Sequence, residues 1–386
     1  MNRSARFCSS YARHTMQGEL NIERPTLLLD KERVIRNIEK MARKTKTSSV
    51  RFRPHFKAHQ SAEIGEWFKQ FDVKSITVSS VDMATYFSAN GWKDITVAFP
   101  ANIRAIRRIN ELTEKTNLGL LVESKETIDF LRDNLKSNAK AWIDIDVGYE
   151  RTGVLWSNTR EVTELAKRVK DSKTLSLAGI LTHAGQSYEA KSTDEIKEIY
   201  FDSVFKMRKL QDELQAEGFS NTEISVGDTP TCSLVDGFCS VDEVRPGTFV
   251  FYDVMQMTLG ACNEQDIAIA LACPVVAKHE ERNEILIHGG AAHLSKDFIL
   301  NKEGIKIFGY VSTPESYGWG PPVSNTYVSS LSQEHGTIKT DEIFFRRVQV
   351  GDLLVVLPVH CCLTVDLMRE FLTLEGNIVQ TMPKFC

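Results

Sequence analysis

Between residues 30 and 255 the sequence alternates eight short β-rich runs with segments of helix length, a rhythm that few folds accommodate. The runs fall near 50–54, 75–79, 95–99, 118–122, 141–147, 177–182, 223–226 and 244–250. Several are almost continuously apolar, as in Ile95-Thr96-Val97-Ala98-Phe99, which suits a parallel sheet covered on both faces. The segments between them carry helical spacing. Val34, Ile35, Ile38 and Met41 mark one helix over 31–45. Ile196, Tyr200, Val204, Met207, Leu210 and Leu214 mark another over 193–217, with Ser192 and Glu195 as a capping box and Gly218 as its stop. Eight such units predict a (β/α)8 barrel over 31–255. A doubly wound sheet is the other arrangement, because counting strands does not show closure.

Past residue 255 the texture changes. Runs at 265–271, 284–288, 306–311, 326–331 and 352–357 are strand-like with turns between them, which predicts a mostly β domain over 256–386. The early run Thr26-Leu27-Leu28-Leu29 is spare to the barrel, so 21–30 is expected to join the β domain. Residues 1–20 hold Arg3, Arg6 and Arg13 with no acid before Glu19 and no apolar stretch. They read as a flexible tail rather than a secretory signal.

The net charge of −4, with scattered basic residues, argues against nucleic acid and anionic membrane as partners. No apolar run approaches the roughly 18–20 residues that span a bilayer. The eight cysteines form no CxxC pair and read as thiols of a reducing, cytoplasmic compartment.

In a barrel the catalytic groups lie at the C-terminal ends of the strands. Those positions hold Arg53-Pro54-His55-Phe56-Lys57-Ala58-His59, Gly148-Tyr149-Glu150-Arg151, Thr182-His183-Ala184-Gly185-Gln186-Ser187-Tyr188, Gly227-Asp228-Thr229-Pro230-Thr231 and Arg245-Pro246-Gly247-Thr248. Lys57 sits among Arg53, His55 and His59, and neighbouring positive charge would lower its pKa toward reactivity. The glycine-containing turns at 227–231 and 246–248 can offer backbone N–H groups to a phosphate.

The segment around Lys57 resembles the R-P-H-x-K-T-H motif of D-serine dehydratases and D-threonine aldolases, which stand with alanine racemase among the fold-type III enzymes of pyridoxal 5′-phosphate (PLP). The likeness runs from about residue 23 to 370. It implies that Lys57 forms the Schiff base with PLP. Arg151, in G-Y-E-R-T-G, resembles the arginine at the cofactor's phenolic oxygen. His183 resembles the histidine packed by the ring, and Tyr188 the tyrosine of H-S-Y. Arg245 falls where alanine racemases place an arginine against the pyridine nitrogen. Gly227, Thr229, Gly247 and Thr248 would hold the phosphate. Three positions depart from the pattern: Asp228 for a serine, Gln186 for a histidine, and His293 for a lysine.

The second telling segment is Pro358-Val359-His360-Cys361-Cys362-Leu363-Thr364. On a strand, residues two apart face the same way about 6.6 Å apart. His360 and Cys362 could then converge on one ion, with Cys361 on the opposite face filling space. For H-x-C alone, a buried histidine and a small apolar cysteine is the simpler reading. The segment also resembles the P-x-H-S-C-L-T metal site of eukaryotic-type D-serine dehydratases. D-threonine aldolases carry aspartate at the second ligand, which suits Mn²⁺, whereas a thiolate suits Zn²⁺.

The resemblance therefore implies a PLP- and Zn²⁺-dependent lyase that eliminates the hydroxyl of a small D-3-hydroxy amino acid, most simply D-serine to pyruvate and ammonia. It implies a homodimer whose active sites lie between one subunit's barrel and the other's β domain. Aldol cleavage of the same substrates, with Mn²⁺ or another divalent metal, is the enzymatic alternative. A racemase and a PLP carrier without turnover are the others.

Overall fold

The computed structural model describes residues 21–384, so the tail expected over 1–20 lies outside the described residues. Barrel strands one to eight occupy Arg51–Phe52, Ser75–Val78, Asp94–Pro100, Asn117–Val122, Ala139–Asp146, Leu175–Thr182, Glu223–Val226 and Glu243–Val244. Every neighbouring pair in this ladder is parallel, and strand eight lies between strands seven and one. The ring closes at His55, which bridges Thr77. There Phe56 N–H donates to the Thr77 carbonyl and Thr77 N–H to the Pro54 carbonyl, each at 2.9 Å. A (β/α)8 barrel results, and closure excludes the doubly wound sheet.

Strands one and eight are shorter than the runs at 50–54 and 244–250. Pro54 and Pro246 have no N–H to give the ladder and end it. Beyond Pro246 the chain turns at Gly247 into a 3₁₀ helix, Thr248–Val250. The long helix spans Thr193–Ala216 and stops before Gly218, whose φ of +91° a side chain would resist. Ser192 caps it by accepting from Glu195 N–H at 3.1 Å. The Glu195 carboxylate accepts from Lys191 N–H instead of Ser192, so the box closes one residue early.

At the N-terminal end of the barrel, completely buried Glu243 accepts from Arg51 Nε and Arg53 Nε, both at 2.6 Å, and from Ser225 Oγ at 2.7 Å. Arg53 also reaches Asp94 at 2.6 Å. Burial alone would push the Glu243 carboxyl up, but Arg53 and Arg51 overcome it and hold the group below its usual range. Removing one partner of a buried ionic network strands the others. Glu243→Ala is therefore expected to cost about 3–5 kcal/mol in chemical denaturation. A loss below about 1 kcal/mol, typical of surface pairs, would show that the network does not act as a buried one.

The second sheet is built on Ile269–His279. Its order runs Glu284–His288, His335–Lys339, Tyr327–Leu331, Gly309–Ser312, Leu353–Pro358, Ile269–His279, Thr26–Leu29, Glu370–Thr373, Ile378–Gln380. Glu284–His288 also pairs with Ile269–His279, so six of these strands form a closed loop of pairings. Thr26–Leu29 lies antiparallel to Ile269–Ala272 and parallel to Leu372–Thr373, within this sheet and not in the barrel. The strands at 335–339, 370–373 and 378–380 are polar or short, and their composition did not announce them. No helix among the described residues is long and apolar enough to cross a membrane.

Candidate active site

At the C-terminal ends of the barrel strands lies a cavity of about 320 Å³. Lys57, Arg151, His183, Tyr188, Gly227, Thr229, Arg245, Gly247 and Thr248, singled out from different strand ends, all line it.

Lys57 follows Phe56, whose buried ring lies 5.0 Å from each of Phe68, Phe87 and Trp92. That aromatic cluster fixes the backbone from which the lysine projects. The positive surroundings expected for Lys57 come from other residues than Arg53, His55 and His59. Arg53 points to the opposite end of the barrel and is neutralised by Glu243 and Asp94. Burial holds His59 at about 3 and drives His55 well below its ordinary value, so both rings are neutral. The cations that line the cavity beside Lys57 are Arg151 and Arg245.

Arg151 ends a loop organised by Asp146, whose Oδ1 accepts from the N–H groups of Gly148, Tyr149 and Glu150 at 2.8–3.1 Å. Its guanidinium stacks 5.1 Å from the Tyr149 ring centre. Buried Arg245 donates from Nε to Ser225 Oγ at 2.7 Å and from Nη2 to the Thr182 carbonyl at 2.5 Å. Burial lowers its pKa to about 10, and it stays charged at neutral pH. His183 lies 2.6 Å by Nδ1 from the Gly227 carbonyl, an oxygen that only accepts, so Nδ1 carries the proton. Burial brings this histidine to about 3 and keeps it neutral.

The two glycine turns serve close packing. A Cβ on Gly227 would come 2.8 Å from Arg245 Cβ, and one on Gly247 would come 3.0 Å from His55. Asp228 caps the helix Thr229–Leu234, accepting from Thr231 N–H at 2.8 Å, Thr231 Oγ1 at 2.7 Å and Ser187 Oγ at 3.0 Å. Both of its oxygens are thus engaged by donors within the protein. Thr229 Oγ1 is buried without a hydrogen-bond partner.

Sequence reasoning missed Asp144. It is buried on barrel strand five, lines the cavity, and has a partnerless Oδ2, and burial raises its carboxyl to about 6. The available signal was a carboxylate inside the apolar run Trp142-Ile143-Asp144-Ile145. A cavity with one lysine, two arginines, a partnerless buried hydroxyl and the rings of His183, Tyr149 and Tyr188 fits a phosphorylated aromatic aldehyde of the PLP kind.

His360 and Cys362 are reached by a different local structure from the expected strand. The strand stops at Pro358, His360 is the N-cap residue, and the helix Cys361–Met368 begins directly after it. The helix starts here because buried Asp253, which already caps Val254–Thr258, accepts Cys361 N–H at 3.0 Å. His360 and Cys362 therefore meet on the first turn of a helix. Cys361 is not spacing material on an opposite face, since its Sγ lies 3.9 Å from Cys362 Sγ. Cys362 is drawn far below the ordinary thiol range, first by contact with the Cys361 thiol and then by His360 beside it. Burial opposes charge on His360, but Asp297 and Cys362 raise it to about 10. A charged imidazole against a thiolate is a soft donor pair that fits Zn²⁺ once the ion replaces the shared proton. Cys362 Sγ is 3.7 Å from Thr248 Oγ1, which joins the pair to the cavity.

His293 lies in a second cluster, with His288 and Glu334. Each histidine Nε2 stands 3.6–3.7 Å from Glu334 Oε2. Gly290 N–H donates to His293 Nδ1 at 3.1 Å, which leaves the proton of the neutral ring on Nε2, the nitrogen that faces Glu334. The ligand atoms of the three residues lie within 4.8 Å of one another.

Residues 29–254 match the family described as alanine racemase, N-terminal domain, and residues 268–374 match the family described as "Putative serine dehydratase domain". The chain belongs to the alanine racemase N-terminal domain family. It is 27% identical to a D-serine dehydratase of Dictyostelium discoideum, across 92% of this chain and 94% of that one. It is 26% identical to a D-threo-3-hydroxyaspartate dehydratase of Delftia sp., across 89% and 92%. The solved structure of the Delftia dehydratase superposes with a TM-score of 0.87 at 24% identity over 95% of this chain and 99% of that one. A D-threonine aldolase from Filomicrobium marinum gives 0.79 at 17% identity, over 92% and 94%.

Proposed function

We propose that the chain is a PLP- and Zn²⁺-dependent D-serine dehydratase, releasing pyruvate and ammonia. The observation that carries this reading is the side-by-side placement of His360 and Cys362 on one helix turn, with Cys362 Sγ 3.7 Å from Thr248 Oγ1 in the lining of the lysine-bearing cavity. Its likeness across nearly the whole chain to dehydratases acting on small D-hydroxy amino acids supports it.

When bound, PLP supplies an electron sink for the substrate's Cα, and zinc supplies a Lewis acid for the β-oxygen. Lys57 Nζ anchors the cofactor and then takes the Cα proton as general base. Arg245 presents only donors, so it would leave a ring nitrogen facing it unprotonated and make the cofactor a weaker electron sink. That favours prompt loss of a β-substituent. Thr229, Thr248 and the N–H groups of the Gly227 and Gly247 turns would take the phosphate, and Arg151 the phenolic oxygen. His360 and Cys362 would hold the ion. A thiolate at 362, where an aldolase would carry aspartate, favours dehydration over aldol cleavage.

The reading includes a homodimer. Phe99 at the cavity rim is 56% exposed and Leu363 beside the metal pair 40%, apolar surface that a second subunit would cover. The six cysteines among the described residues are free, in keeping with a reducing cytoplasm. Incubation with D-serine is expected to yield pyruvate that a chelator abolishes and added zinc restores. Glycine and acetaldehyde from D-threonine, with no pyruvate from D-serine, would instead identify an aldolase.

A further inference from the structure

We propose that Asp297 is a positioning residue for the metal pair, deciding which nitrogen of His360 faces the ion. The inference rests on the zinc reading of His360 and Cys362. His360 Nδ1 lies 2.7 Å from Asp297 Oδ2. An ionised carboxylate only accepts, so Nδ1 keeps its proton and Nε2 is the nitrogen that gives up its own to an ion. Without that contact the neutral ring could hold its proton on either nitrogen and rotate about its Cβ–Cγ bond. Of those two protonation patterns and two orientations, only one combination puts an Nε2 lone pair where a metal needs it.

The backbone around Asp297 is built to hold the carboxylate in place. Ser295, just after the helix Ala291–Leu294, adopts φ +69°, a conformation a serine keeps only where its surroundings demand it. Ser295 Oγ then accepts Asp297 N–H at 3.2 Å. Immediately downstream, Ile299–Leu300 is tied to Lys306–Ile307 in a two-stranded ladder. The helix Ala291–Leu294 packs on Cys361–Met368, so the segment that carries Asp297 and the helix that carries Cys362 are positioned against each other. The other carboxylate near the pair, Asp253, is committed to the N–H groups of Gln256 and Cys361 and does not serve His360. Asp253 places the turn, whereas Asp297 orients the ring.

Outer carboxylates that orient a ligating histidine commonly account for about 10- to 100-fold in metal affinity. Purified PLP-loaded enzyme, titrated with zinc against a chromogenic chelator, separates the possibilities. Asp297→Ala is expected to weaken zinc binding by roughly 10- to 100-fold. Asp297→Asn keeps an acceptor oxygen but loses the charge, so it should fall between wild type and alanine. PLP absorbance and the thermal transition should not move, since the side chain is 39% exposed and bonds the metal turn rather than the cavity. A structural role alone would shift the melting temperature of both variants and leave the zinc constant alone. Equal zinc affinity in wild type and Asp297→Ala would overturn the proposal. Wild-type protein that binds no zinc would overturn the metal reading itself, and this inference with it.

Discussion

Replacing Lys57 with alanine is expected to lower pyruvate formation from D-serine by on the order of 10³-fold or more, since the proposed function makes the residue both anchor and general base. The loss should be chemical rather than structural. Lys57 is exposed at the cavity edge while the preceding Phe56 carries the packing. An exposed side chain away from the core usually moves stability by less than about 0.5 kcal/mol. Lys57→Arg should be as inactive as alanine, because guanidinium keeps its charge but cannot give up its proton at any working pH. Borohydride reduction of wild-type enzyme followed by peptide mapping should place the pyridoxyl label on Lys57. A label on another lysine would sink the assignment.

Much of this site was legible in the sequence for a definite reason. In a barrel of parallel strands every βα turn opens on the same face, so polar residues at the ends of separate apolar runs must meet. Arg151, His183, Gly227, Arg245 and Lys57 come from five such ends and share one cavity. What could not be read depended on partners distant in the chain. Arg53 looked like a charge beside Lys57, but its partner Glu243 lies 190 residues away and turns it to the other end of the barrel. The segment around His360 has the composition of a strand, yet it starts a helix because Asp253, 108 residues earlier, accepts Cys361 N–H. Asp144 escapes a reading of strand ends and loops because its carboxylate stands within a strand. Barrel closure depends on one bridge, His55 to Thr77, between segments that no count of strands connects.

Cys362→Ala should strip zinc from the enzyme while leaving PLP bound, because Cys362 lies outside the lining of the cavity and its hydrogen-bonding contact with that lining is Thr248. Pyruvate formation should fall by about 10²- to 10³-fold, the rate equivalent of the several kcal/mol that a Lewis acid supplies to a poor leaving group. Cys361 complicates the experiment in a useful way. Its Sγ is only 3.9 Å from Cys362 Sγ, close enough for a small shift of the helix turn to bring it in as a substitute ligand. Cys361→Ala alone should keep zinc on His360 and Cys362, but with binding shifted to higher pH, because Cys362 loses the thiol contact that most lowers its pKa. The double variant should lose whatever metal Cys362→Ala retains. Cys362→Asp exchanges a soft donor for a hard one and should move the preference from zinc toward manganese. Metal content measured by elemental analysis decides the matter. If Cys362→Ala and the double variant both carry wild-type zinc, the ion is held elsewhere, and His360 with Cys362 would be only a buried ion pair at the edge of the cavity.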